Sequence, residues 1–253
     1  MRACVLILAL VGCGRLGFDA TSERVADAPA DVSDVAADAL AAPGLLAHFA
    51  FDDTPLDGVD NRAIGGGLAT CLTTCPTVVP GVSGSAYQFN GATDAIRYAD
   101  SPALHTQAGT VAMWVRIDQP PPMDQYMVFI SKPFETFLEN TWEMFLVQGT
   151  TLDFAGGGDS GNLDTYAGAQ WTTALDTWVH VALTWDVKVR LYVGGVKIAE
   201  ENNPGRSYDS GDVYIGSDFD NGAPTAFVKG AIDSVYMFSY ELAPGQIATL
   251  ATP

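Results

Sequence analysis

The chain has 253 residues, and 30 acidic against 12 basic side chains give it a formal charge of −18. A surface this negative excludes nucleic acid as a partner and gives no direct attraction to anionic lipid, while leaving neutral glycans and divalent cations open. No repeat of solenoid or propeller period is present, so the foldable part, about 210 residues, is one domain with one core.

The first segment reads as an export signal. Arg2 supplies a short positive start, and Val5 to Val11 is an apolar run too short to cross a bilayer as a mature helix. The run ends in Leu10-Val11-Gly12-Cys13, which resembles the bacterial lipoprotein box, where a small residue precedes a cysteine that is lipidated before cleavage. The resemblance implies a signal peptide over 1–12 and lipidation at Cys13. Each acyl methylene buried in the membrane adds about 0.8 kcal/mol, so several chains suffice as an anchor. Gly14, where an aspartate would argue otherwise, favours the outer membrane, with the protein held in the cell envelope outside the cytoplasm. An ordinary secretory signal is the alternative. Residues 13–43 then form a tether. Asp19, Glu23, Asp27, Asp31, Asp34 and Asp38 stand against Arg24 alone, and Pro29, Pro43 and the lack of an apolar stripe argue for a self-repelling, disordered spacer.

From residue 44 the pattern changes to short alternating runs. Leu46 to Asp53 reads as an opening strand. Cys71 and Cys75, an even pair in an exported chain, read as a disulfide. Zinc would need more ligands than His48, His105 and His180 offer at any metal-type spacing, and a redox pair would be spaced by two residues rather than three. Gly84 to Leu104 holds Ala86-Tyr87-Gln88-Phe89-Asn90-Gly91 and a Ser-Pro turn. Residues 177–199 are the clearest stretch: Val179, Val181, Leu183 and Trp185 fall on one face of a strand, and Val189, Leu191 and Val193 on one face of the next. Gly194-Gly195 marks a two-residue hairpin turn, which needs positive φ. Gly230-Ala-Ile-Asp233-Ser-Val235, followed by Glu241 to Ile247, is the last block.

In this order the blocks resemble the LamG-like domain, the concanavalin A-like lectin/glucanase jelly roll in its bacterial form. The resemblance spans roughly 45–251. It implies an all-β fold over 44–253: two antiparallel sheets packed as a β-sandwich, with a short C-terminal helix. It implies no single function, because this fold hosts lectins, hydrolases and adhesion modules. In the family, acidic residues in the first and last strands contribute to a structural calcium site beside a glycine-containing turn. Here those positions are Asp52 and Asp233, with Asp94 in the turn Asn90–Asp94. An aspartate inside an apolar strand needs a partner, and accepting backbone N–H groups is the other way Asp233 could find one.

The search for catalytic chemistry is negative. Gly158-Asp159-Ser160-Gly161 copies the tetrapeptide around a serine nucleophile, but no histidine lies upstream in a matching context. One glycine-aspartate copy cannot stack as a calcium-binding β-roll. Hydrolases of the resembling fold carry Glu-x-Asp-x-x-Glu on one strand. Glu135 and Glu139 have the wrong spacing and read as solvated charges in a connection around Lys132-Pro133, while Glu143 stands alone. His180 reads as a hydrogen-bonded sheet residue. Trp114, Trp178 and Trp185 read as core. Trp142, Trp171, Tyr126 and Tyr166 lie nearer loops, where they either pack or stack on a sugar. Asp218-Phe-Asp220-Asn-Gly222 departs from a helix–loop–helix calcium loop and reads as a turn. The expectation is a non-catalytic, surface-tethered binding or adhesion lipoprotein, taking a carbohydrate or a protein partner. A structural envelope protein and a divergent glycoside hydrolase are the alternatives.

Overall fold

A computed structural model of the chain describes residues 43–55, 58–63, 66–135, 139–159 and 164–253. The signal peptide, Cys13 and nearly all of the tether lie outside the described residues, as does Ser160. Strands are the dominant element and take about half of the described residues. The first half contributes β1 (Leu45–Phe49), β2 (Ala69–Cys71), β3 (Thr77–Pro80), β4 (Ser85–Asn90), β5 (Ile96–Tyr98) and β6 (Gly109–Ile117). Then come β7 (Tyr126–Pro133), β8 (Asn140–Gln148), β9 (Leu152–Asp159), β10 (Asp164–Gln170), β11 (Trp178–Trp185), β12 (Lys188–Val193) and β13 (Val196–Asn202). The last are β14 (Val213–Ile215), β15 (Asp218–Asp220), β16 (Ala223–Thr225), β17 (Lys229–Phe238) and the helix α1 (Pro244–Leu250).

Two large antiparallel sheets form the sandwich. One runs β13-β12-β11-β6-β17-β4-β3, with β1 pairing β17; the other runs β10-β9-β8-β7-β14-β5-β2. The core lies between them, where alternate residues from each sheet meet. Val181, Leu183, Trp185, Val189 and Leu191 enter it from the first sheet, and Phe129, Trp142, Met144, Leu146 and Phe154 from the second. The strand period of two read from residues 177–193 is therefore the real packing period. The hairpin turn also forms as expected: Val193 pairs with Val196, and Gly194 and Gly195 take φ of 56° and 77°.

The tryptophans divide by parity. Trp185 is core, but Trp114 and Trp178 alternate onto the outer face, because Met113, Val115 and Val179 take the inward positions on their strands. Out there Trp114 stacks edge-on with His180, and the Arg116 guanidinium lies 5.5 Å from the centre of the Trp178 ring. Trp142 and Trp171 are core as well, Trp142 stacking on Trp185 at 5.7 Å. The stretch around Lys132 is strand rather than solvated connection. Lys132 is fully buried, with Nζ 2.5 Å from both Asp100 Oδ1 and the Gly211 carbonyl. The Cys71–Cys75 disulfide is present, with Cα atoms 5.1 Å apart.

Candidate functional site

The outer face of the second sheet carries an unusual set of side chains. Antiparallel register places Ser131, Glu143, Gly157 and Tyr166 side by side across β7, β8, β9 and β10. The next row is Val128, Phe145, Ala155 and Gly168. Ala155, Gly157 and Gly168 project at most a methyl group, so β9 and β10 make a shallow floor. Aromatic rings edge it: Phe145 meets Tyr126 at 5.6 Å and Tyr166 at 5.8 Å, both edge to face. Tyr126 is 56% exposed, the most open aromatic of the three.

A two-stranded hairpin walls the other side. β15 and β16 pair around Asn221-Gly222, both at positive φ, so the Asp-Asn-Gly stretch is a turn as its sequence implies. Phe219 stacks flat on Tyr214 at 4.6 Å, which fixes the hairpin against β14. This brings Asp218 to Asn140, whose Nδ2 donates to Asp218 Oδ2 at 3.1 Å.

Glu143, Asp218 and Asp220 thus share one neighbourhood. Burial, and then the charge of Asp218, push the Glu143 carboxyl up to about 8, although hydrogen bonds from Tyr166 and Asn140 oppose the shift. At neutral pH Glu143 is protonated and can both donate and accept. Burial raises Asp218 too, with Asp220 adding to it. A neutral carboxyl, a phenol and aromatic edges around a shallow floor are suited to a hydroxyl-rich ring.

The residues expected to hold calcium are only partly brought together. Asp52 and Asp233 both face the turn 81–84. Asp52 Oδ1 accepts from Ser85 N at 2.9 Å and Oδ2 from Arg62 at 2.8 Å. Asp233 Oδ2 accepts from Val82 N at 2.8 Å and Ser83 N at 3.3 Å. Glycine at both ends of the turn permits this approach: a Cβ on Gly81 would fall 2.5 Å from Asp233 Oδ2, and one on Gly84 2.3 Å from Asp52 Oδ1. Burial raises the Asp233 carboxyl, and the Asp52 charge contributes to the rise, while its hydrogen bonds pull it down. Asp94 belongs elsewhere. It holds its own turn, accepting from Asn90 N at 2.9 Å and Thr74 Oγ1 at 2.5 Å. Among the described residues no group of three or more His, Cys, Asp or Glu is placed to hold a metal. Of the three expected ligands only Asp52 and Asp233 come together, and their carboxylates repel one another across one turn.

The remaining candidates lie apart from both places. His180 is buried with both ring nitrogens unpartnered, and burial lowers it to about 4. Glu135 accepts from Ser210 Oγ at 2.5 Å. An open hollow of about 520 Å³ lies on the other sheet beside α1, lined by Tyr192, Tyr240 and the Arg190–Glu241 ion pair. The sequence singles out Tyr126 and Tyr166 as stacking candidates and Asp218 only as part of a turn, and it does not single out Phe145 or Asn140 around them. The signal that could have found Phe145 is its alternation with the inward Trp142, Met144 and Leu146.

Residues 90–248 match the family described as the concanavalin A-like lectin/glucanases superfamily. No curated protein matches the sequence. Among solved structures the chain is similar to domain 4 of a GH43 extracellular arabinanase from Geobacillus stearothermophilus, solved in complex with arabinotriose. The identity is 21% and the TM-score 0.63, over 83% of this chain and 98% of that one. It is also similar to the binding domain of Paraclostridial Mosquitocidal Protein 1 (10%, TM-score 0.62, 82% of this chain and 52% of that). A third is Trypanosoma rangeli sialidase in complex with sialic acid (15%, TM-score 0.61, 82% of this chain and 32% of that). The chain thus spans nearly all of the arabinanase domain, about half of the toxin domain and a third of the sialidase. At these identities the likeness is one of fold.

Proposed function

Because the chain belongs to the concanavalin A-like lectin/glucanase superfamily, we propose that it is a non-catalytic carbohydrate-binding module, held at the cell envelope through Cys13 and the acidic tether. The geometry that carries the reading is the small-residue floor over β9 and β10, with Glu143, Tyr126, Phe145 and Tyr166 beside it. That fold neighbours include a domain solved with arabinotriose and a sialidase solved with sialic acid supports a glycan over a peptide. The carboxyl arrangement supports binding over hydrolysis. Glu143 and Asp218 are 8% and 6% exposed and both bound up with Asn140, whereas a hydrolase needs two carboxyls free to flank the glycosidic bond.

The test is a glycan array probed with the full chain, followed by titration of the best glycan against Tyr126→Ala and Tyr166→Ala. Removing one stacking ring should weaken binding roughly fivefold or more, about 1 kcal/mol. A glycan that binds both variants as it binds the parent does not use this trough. Glycan breakdown by the pure chain that disappears in Glu143→Gln would turn the reading to the hydrolase.

A second reading concerns stability. A calcium ion shared by Asp52 and Asp233 would relieve their mutual repulsion and supply charge to a buried carboxylate. It would be structural, since the 81–84 turn belongs to the sheet opposite the trough.

A further inference from the structure

We infer that the saccharide taken by this trough is neutral and that acidic sugars are turned away; the inference rests on the glycan-binding reading above and adds the ligand's class to it. The charged side chains of the trough's own strands and hairpin are all acidic. Strands β8, β9 and β10 contain no Lys, Arg or His, and neither does the hairpin 218–225. Of the cations nearby in the sheet, Lys132 on β7 is buried and committed to Asp100 and the Gly211 carbonyl. Arg97 on β5 is committed to Asp212. Beside the trough stand the aspartates Asp218 and Asp220, whose charges raise the neighbouring Glu143; that carboxyl is itself neutral at pH 7, so the aspartates carry the negative charge.

The unpartnered polar atoms beneath the hairpin have the same character. Among the described residues Asn140 Oδ1 is a buried acceptor with no donor, and Ser217 Oγ, also buried, has no partner. Asn140 and Asp218 are 3% and 6% exposed. Acceptors and carboxylates favour ligand hydroxyls that donate. A sugar carboxylate brings another acceptor and a like charge into a partly desolvated place, where Coulomb repulsion is weakly screened. Acidic-sugar sites elsewhere depend on a guanidinium fork or ammonium for the carboxylate, and none stands on these strands.

The experiment uses matched ligands. The full chain is titrated with oligosaccharides of glucose, galactose and mannose and with the corresponding uronic-acid oligosaccharides, which differ by a carboxylate at C6. At least one neutral series should bind tenfold or more tightly than its uronic partner. Raising salt should narrow the gap by screening the repulsion. Asp220→Asn, which keeps the size of a half-exposed side chain, should narrow it as well. Tighter binding of a uronic series, or a gap indifferent to both salt and Asp220→Asn, overturns the neutral assignment and leaves glycan binding standing. Binding of neither kind of oligosaccharide removes the glycan reading and this inference with it.

Discussion

Tyr166 on β10 reaches across an entire intervening strand to donate a 3.0 Å hydrogen bond to Glu143 Oε1 on β8. The residue between them in register is Gly157, so no side chain blocks the path. The contact couples the phenol at the trough's floor to the carboxyl that gives the trough its chemistry. Tyr166→Phe removes a hydrogen bond that favours the ionised carboxylate, so the Glu143 carboxyl should titrate higher than its present value of about 8. A carbon-detected NMR titration of the glutamate carboxyls measures this directly. An unmoved or lowered Glu143 would mean that the phenol does not act on it.

The same carboxyl makes a prediction for stability. Its folded pKa of about 8 lies above the ordinary 4.5, so between those values the folded chain holds a proton that the unfolded chain has lost. Stability should therefore fall as pH rises through this window and level off above it. His48 and His180, lowered to about 4 by burial, act oppositely but only up to about 6.5. Above 6.5 the histidines no longer contribute, and the change of slope made by Glu143→Gln reports Glu143. Glu143→Gln should flatten the slope there and be the more stable protein at pH 9, by on the order of a few kcal/mol. Parallel denaturation curves for parent and variant from pH 6.5 to 9 would refute it.

A calcium ion on Asp52 and Asp233 that binds only the folded chain should stabilise it by about 2.7 kcal/mol at a hundredfold excess over Kd. For a domain of this size that raises Tm by roughly 5–10 °C. Arg62 competes for Asp52 at 2.8 Å, so Arg62→Ala should strengthen the effect, while Asp233→Asn should abolish most of it. Melting curves that coincide in calcium and in chelator remove the ion and leave Asp233 as the acceptor for Val82 and Ser83.

For the anchor, Cys13→Ser should release the protein from the membrane fraction or leave an unprocessed precursor. A variant processed and fractionated like the parent would favour the plain secretory signal.

What could be read in advance and what could not divide along the range of the signal. The hairpin at Gly194-Gly195 is local: period-two runs on both sides and two residues able to take positive φ leave one arrangement. Asp233 was conspicuous because a carboxylate in an apolar strand demands partners, and it has them. Trp114 and Trp178 show that size misleads where alternation does not, since their neighbours Met113 and Val179 already occupied the inward parity. The trough was out of reach for a different reason. Glu143 lies 23 residues from Tyr166, and Asn140 lies 78 from Asp218. Their meeting depends on the register of β8, β9 and β10 and on a hairpin folding back over its own sheet. Alternation along β8 puts Glu143 and Phe145 on one face and Trp142, Met144 and Leu146 on the other, but it does not say which strands lie beside them.

The pairing of β1 with β17 governs how the domain responds to mechanical load. Leu45 pairs with Phe238 and Phe49 with Val235, so the chain enters the fold at the open end of that ladder. Tension applied at residue 44 across that ladder should peel its rungs one after another from Leu45 inward. The peel runs toward Asp52, which is clipped to Ser85 N beyond the last rung, beside the bulge where Asp233 grips the same turn. Under a steady pull at residue 44, β1 should yield first and the 81–84 turn should arrest it, leaving β8, β9 and β10 in the other sheet undisturbed.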